Sequence, residues 1–329
     1  MKALQPSDIG LILSYQCQAG CDHCLYNCGP GWHDWMEVGA VEEALRSMLL
    51  WEGPFQVHFT GGEPFLNFSL LLQAVETATK LGIPRYVETN AGWCVREQLV
   101  RERLKNLKSA GLQMMLISCS PFHAARIPAE RTLLAIRIAR DIFGPEKVIV
   151  YLLEWAQQLI QFGSHGITPL SVYEELLGRE QAGRLLWEGY GLISGGRSGY
   201  RLGHLTPLVP ASSFRGHACA QELLFAHHSH FDLYGNFIPA FCGGLRLVDW
   251  RNLKDMLQEI RRGMFLDLIR VLIEGGPYQL AQWAQTNAGY EPIPEGYAGK
   301  CHLCVDVRKH LATCKSYPEL QPPEFYSNF

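Results

Sequence analysis

From Ile9 to about residue 194 the chain alternates short apolar runs with longer amphipathic segments, and this rhythm limits the folds open to it. IGLILSY (9–15) reads as a buried strand, MEVGAVEEALRSMLLW (36–51) carries apolar residues at helical spacing, and FQVHF (55–59) alternates as a strand does. The pattern repeats as a helix over 67–81 then IPRYVE (83–88), and as a charged amphipathic helix over about 95–109 then LQMMLIS (112–118). A helix over about 128–141 precedes KVIVYLL (147–153). SVYEELLGREQAGRLLW predicts a further helix, and GYGLIS (189–194) a sixth strand. Short apolar strands separated by helices predict parallel βα units. An open doubly wound sheet and a partial barrel fit this rhythm equally well. In both, ligands gather beyond the carboxyl ends of the strands. The unusual residues fall there: CQAGCDHC after the first strand, GGEP after the second, ETNAG after the third and SCSPFH after the fourth.

From about residue 197 the rhythm fails. GGRSGYRLGH is a glycine-rich crossing, followed by YGNF and CGG turns, one clear helix near 251–272 and a proline-rich tail. The expected boundary lies between 197 and 210, giving domains 1–196 and 197–329. The second is expected to have little to pack and to gain from a metal centre. The 329 residues carry a net charge of -3 with Lys and Arg scattered, which disfavours a nucleic-acid scaffold. No apolar stretch is long enough to cross a bilayer, and MKALQPSDIG lacks the features of a signal peptide. The expected setting is cytoplasmic, without membrane association.

Eleven cysteines in a reducing compartment point to metal or catalysis rather than disulfides. They cluster at both ends. Cys17, Cys21 and Cys24 share one loop with Cys28 close behind, amid Gln, Asp, His and Asn that make a poor core. Zinc favours a closed tetrahedral set, whereas three thiolates on a [4Fe-4S] cluster leave one iron open; on spacing alone Cys28 could complete a fourth ligand. In GGEP the glycines allow close backbone approach, and Pro64 stiffens the exit. Cys219, Cys242, Cys301 and Cys304 form a second four-thiolate set that suits zinc or iron-sulfur alike. Haem c attachment is disfavoured because Val305 follows Cys304.

CQAGCDHC matches the CxxxCxxC signature of the radical S-adenosylmethionine (radical SAM) superfamily, and GGEP matches that superfamily's second common motif. The resemblance implies an α/β fold: a partial (β/α)6 TIM-like barrel over roughly residues 9–196. It implies a [4Fe-4S] cluster on Cys17, Cys21 and Cys24 whose open iron is chelated by SAM, so that Cys28 is not a ligand. Gly61, Gly62 and Glu63 would contact the SAM amino group. Asn90 and Ser118 match positions that reach its methionine or ribose part. His23, just before the third cysteine, would lie by the cluster or nucleotide, with Tyr26 nearby. The C-terminal region resembles a small twitch domain, a reduced relative of the SPASM domain, on Cys219, Gly235, Asn236, Cys242, Cys301 and Cys304. That resemblance implies one auxiliary [4Fe-4S] cluster, with Cys314 outside it.

The resemblance further implies cleavage of SAM to a 5'-deoxyadenosyl radical, with an electron from a flavodoxin- or ferredoxin-like donor, and abstraction of a substrate hydrogen. The expected reaction oxidises or otherwise modifies a small molecule, as in related aminocyclitol dehydrogenases. The alternative is modification or epimerisation of a ribosomally made peptide, for which Cys314, Cys119 and Cys28 are candidate hydrogen donors. A barrel beginning near residue 9, without a preceding leader-binding domain, weighs toward the small molecule. His123 could bind or deprotonate substrate, since its ordinary pKa lies near neutrality, or serve only as a hydrogen-bonding loop residue. A non-enzymatic electron carrier is the remaining rival, but it has no need of GGEP or of so large a barrel.

Overall fold

The computed structural model describes every residue except 1–3, 52, 162 and 328. The chain divides into two compact units. The first comprises Ser7–Cys21 and Cys28–Val172; the second comprises Asp22–Asn27 and Tyr173–Phe329, with the residues ahead of Ser7.

The first unit alternates strand and helix: β1 (Asp8–Ile12), α1 (Val38–Met48), β2 (Gln56–Thr60), α2 (Phe68–Lys80), β3 (Arg85–Thr89), α3 (Glu97–Ser109), β4 (Met114–Ser118), α4 (Pro121–Ala124), α5 (Ala129–Phe143), β5 (Val148–Tyr151) and α6 (Leu153–Gln161). The five strands pair in parallel in the order β5-β4-β3-β2-β1. Ile9 lies opposite Val57 and Phe59 opposite Val87, and all four are completely buried. Alternation sends Asp8, His58, Tyr86 and Glu88 to the other face. Parallel strands joined by crossover helices make this unit a partial (β/α) barrel.

The sixth strand expected at 189–194 does not form. Gly191 adopts φ +63, in the left-handed region, and the Leu192 N–H turns back to the Trp187 carbonyl at 2.9 Å. The helix expected over 171–187 breaks at Gly178 (φ +74) into α7 (Ser171–Leu177) and α8 (Arg179–Gly183), continued by a wide helical turn at Arg184–Gly189.

The rest of the second unit contains α9 (Ser198–Leu202), α10 (Ala220–Leu224), β6 (His228–Asp232), β7 (Asn236–Pro239), β8 (Val248–Asp249), α11 (Leu253–Arg261), α12 (Asp267–Ala288) and α13 (Lys300–Cys314). Strands β6, β7 and β8 are antiparallel neighbours. Their first turn is locked by Asp232, whose carboxylate accepts from the Tyr234 N–H, the Asn236 N–H and the Asn236 amide. The single helix expected near 251–272 is two, parted at Gly263 (φ +75). Nor is the region poor in packing. Phe231, Phe237, Trp250, Tyr297, Leu303 and Phe325 are each fully buried, and each such side chain contributes about 1.5–3 kcal/mol of transfer free energy. CHLC opens α13, where Ser194 Oγ accepts the His302 N–H at 3.2 Å. Ser194, expected to end a strand, thus serves a free N–H of the first helical turn. Among the described residues no helix is long and apolar enough to cross a membrane.

Candidate functional site

The GGEP loop is fastened to the stem of the cysteine loop. Gly62 N–H donates to the Ser14 carbonyl at 2.8 Å, and Glu63 N–H to the Gln16 carbonyl at 2.9 Å. A Cβ at Gly61 would collide with the Ser14 carbonyl, and one at Gly62 with the Gln16 carbonyl, so this approach requires glycine at both positions. On the far side of the stem, Cys17 N–H donates to the Gly29 carbonyl at 3.0 Å, and Gly29 N–H to Tyr15 at 3.1 Å. Cys17 through Cys28 are thus a loop closed at its base immediately after β1.

Glu63 is 0 % exposed, and its carboxylate is spent inside the protein. It accepts from Phe65 N–H at 3.1 Å, Asn90 N–H at 2.8 Å and Thr89 Oγ1 at 3.0 Å. Burial pushes the carboxyl up to about 7 against the pull of those donors and the nearby Arg103 charge. Asn90 continues the connection: its amide nitrogen donates to Cys17 Sγ at 3.4 Å, and its Oδ1 accepts from Gln18 Nε2 at 2.8 Å. Ala19 N–H also donates to Cys17 Sγ, at 3.4 Å. Two N–H donors on one sulfur are the kind of contact that accompanies iron–sulfur ligation, so this donor chemistry fits an iron–sulfur ligand.

Cys21 is buried and Cys24 half-buried. Cys24 belongs to the second unit, where its carbonyl accepts from Arg197 N–H at 3.0 Å. His23 is half-buried, and Tyr26 donates to or accepts from His230 Nδ1 at 2.8 Å. Ser118 ends β4, followed by Cys119, whose thiol burial pushes up to about 12. His123 lies in the short α4 with Nδ1 2.7 Å from Ser120 Oγ, and burial pushes it down to about 4, a neutral imidazole at pH 7. Cys28 is buried; Cys314 is exposed at the last turn of α13, with Sγ 3.6 Å from His310 Nε2.

Cys219, Cys242, Cys301 and Cys304 lie close enough to feel one another's charge. Burial raises the thiols of Cys219, Cys242 and Cys301, and each is raised further by the charge of Cys304; Cys242 also feels Cys301 and Cys219. Cys301 and Cys304 sit one helical turn apart in α13, Cys242 follows β7, and Cys219 precedes α10. Lys300, paired with Glu222, stands beside Cys219 and Cys301. His302, 5 % exposed, accepts from Ala298 N–H at Nδ1 and, among the described residues, has no partner at Nε2. Buried thiols within one another's electrical reach, with cations at hand, have the donor chemistry that a four-thiolate centre draws on.

Sequence reasoning passed over what joins the two cysteine regions. A Cβ at Gly196 (φ +54) would strike the Cys24 carbonyl, and one at Gly243 the Leu25 carbonyl; Gly195 lies against Cys301. Glycines in the GGR and CGG stretches therefore let the Cys24–Leu25 backbone pass within contact of the segments bearing Cys242 and Cys301. The composition of GGRSGYRLGH signalled a crossing, without saying what it crosses.

Residues 11–154 match the model of the Radical SAM superfamily. A protein of Bacillus subtilis (strain 168) described as "Putative peptide biosynthesis protein YydG" is 25% identical over 116 residues, spanning 35% of this chain and 36% of that relative. Two solved structures are similar at low identity. BtrN in complex with AdoMet and 2-DOIA gives a TM-score of 0.46 at 17% identity over 83% of this chain and 89% of its own. anSMEcpe with bound AdoMet and Cp18Cys peptide gives 0.47 at 12% identity over 94% and 96%. The family match runs from within β1 through β5 and takes in both motif loops, so residues 11–154 form a radical SAM superfamily domain.

Proposed function

We propose that this protein is a radical SAM enzyme that modifies a peptide, with a SAM-binding [4Fe-4S] cluster on Cys17, Cys21 and Cys24 and an auxiliary cluster on Cys219, Cys242, Cys301 and Cys304. The observation that carries the first part is the clamp of GGEP and Asn90 onto the Cys17 stem, within the domain that matches the family. When bound, the cluster and SAM supply one-electron cleavage of a sulfonium bond and hence hydrogen-atom abstraction from carbon. The chain's own residues position and shield that chemistry. Glu63 fixes the GGEP loop to the end of β3, and Asn90 and Ala19 donate to the Cys17 sulfur. Ser118 ends β4 and His123 follows it in α4, at the strand end where a substrate entering the barrel mouth would pass. His123, neutral and tied to Ser120, orients rather than abstracts a proton.

The small-molecule expectation gives way to the peptide alternative because the curated relative matched by this chain is described as a peptide biosynthesis protein. An epimerase would also need a thiol that keeps its hydrogen. Cys119, its thiol raised by burial, remains S–H at neutral pH.

The test uses anaerobically reconstituted protein with SAM, dithionite and a synthetic peptide library in D2O, with aminocyclitols offered in parallel. Peptide-dependent 5'-deoxyadenosine formation is expected, with a product that gains one deuterium on epimerisation or loses two hydrogens on oxidation. Turnover with aminocyclitols and none with peptides would restore the small-molecule reading.

A further inference from the structure

Arg308 is 2 % exposed, in the middle of α13. Its Nη1 donates to the Gly243 carbonyl at 3.0 Å and to Tyr326 Oη at 2.9 Å, and its Nε to the Cys304 carbonyl at 3.3 Å. The guanidinium therefore sits between the backbone just after Cys242 and the backbone of Cys304. All these acceptors are neutral, and among the described residues no carboxylate pairs with it. Burying an unpaired guanidinium costs several kcal/mol unless an anion compensates.

The segments it holds are those that bear the cysteines: Nη1 is on the carbonyl next after Cys242 and Nε on that of Cys304 itself, so thiolates at these positions would lie beside its charge. The other cation at this site, Lys300, is already matched by Glu222. Among the described residues Arg308 is then the buried cation of these segments that has no carboxylate partner. An oxidised [4Fe-4S] centre with four thiolates is a dianion, and one-electron reduction adds a third negative charge; net charge and hydrogen bonding near the sulfurs set its potential.

We propose that Arg308 is the fixed counter-charge of the auxiliary centre and sets how readily that centre accepts an electron. This rests on the reading that Cys219, Cys242, Cys301 and Cys304 hold an iron–sulfur cluster.

The experiment uses the full chain with Cys17, Cys21 and Cys24 all changed to Ala, so that only the auxiliary cluster remains, titrated with dithionite and followed by electron paramagnetic resonance. Arg308→Gln should move the midpoint potential to more negative values. Arg308→Lys should restore most of the shift, and Tyr326→Phe, which keeps the charge, should change it little. If Arg308→Gln fails to assemble the cluster while Arg308→Lys assembles it, the counter-charge role also stands. The proposal is overturned if Gln and Lys act alike, whether both leave the potential in place, both shift it equally or both lose the cluster. A background protein that binds zinc, or no iron and sulfide, overturns the auxiliary-cluster reading itself, and is told apart by metal analysis before any titration.

Discussion

Glu63 shows how a motif residue can matter without meeting a ligand. Each of its oxygens faces N–H or O–H donors, so Glu63→Gln would turn an amide NH2 toward one of them. That substitution is expected to cost about 1–3 kcal/mol and to loosen the Cys17 stem; denaturant melts and iron retention after reconstitution check both. His123 gives a pH signature. A base depressed to about 4 from its unfolded value of 6.5 stabilises the folded state above pH 6.5, and that contribution is lost as pH falls from 6.5 toward 4. The loss is on the order of 3 kcal/mol. His123→Asn should therefore flatten the fall in melting temperature across this window, and an unchanged slope would show that His123 does not titrate there. Cys17, Gly61, Gly62, Glu63 and Asn90 could all be singled out in the sequence because motif spacing preserves them. Arg308 could not: its meaning depends on Gly243 and Tyr326, distant in the chain.

Among the elements, the parallel strands were legible because continuous apolar runs mark a strand buried on a sheet between helices. The second unit was not. Helix α13 buries His302, Leu303, Val305, Val307, Arg308 and Leu311, apolar and polar on several faces, so no single stripe announces it. GYGLIS looked like a strand because LI is flanked by small residues, but a left-handed Gly191 and the bond from the His302 N–H to Ser194 commit it to a turn. Glycines separate the two kinds of position experimentally. Gly243→Ala drives a methyl into the Leu25 carbonyl and should destabilise by about 1–3 kcal/mol, as overpacking does. Gly39→Ala, in α1 with nothing within 4 Å of the new methyl, should instead stabilise by about 0.5–1 kcal/mol. Paired urea melts check the opposite signs.

At the scale of the whole molecule, the second unit owns an aromatic core, with Trp250 stacked on Phe231 at 5.7 Å between ring centroids and its indole N–H on the Asp232 carbonyl. The expectation of a region with little to pack therefore changes. Stripping the clusters with a chelator should abolish the iron–sulfur absorption yet leave far-UV circular dichroism and a cooperative melt. Collapse of both would return the metal to the role of a scaffold. The central claim is that the loop after β1 carries the chemistry. Its most direct test is 5'-deoxyadenosine formation by the anaerobically reconstituted protein with SAM and dithionite, wild type against the triple Cys17→Ala, Cys21→Ala, Cys24→Ala variant. The account predicts product from wild type and none from the variant, which retains iron and sulfide in its second unit. Product from the triple variant, or none from a fully iron-loaded wild type, would contradict it.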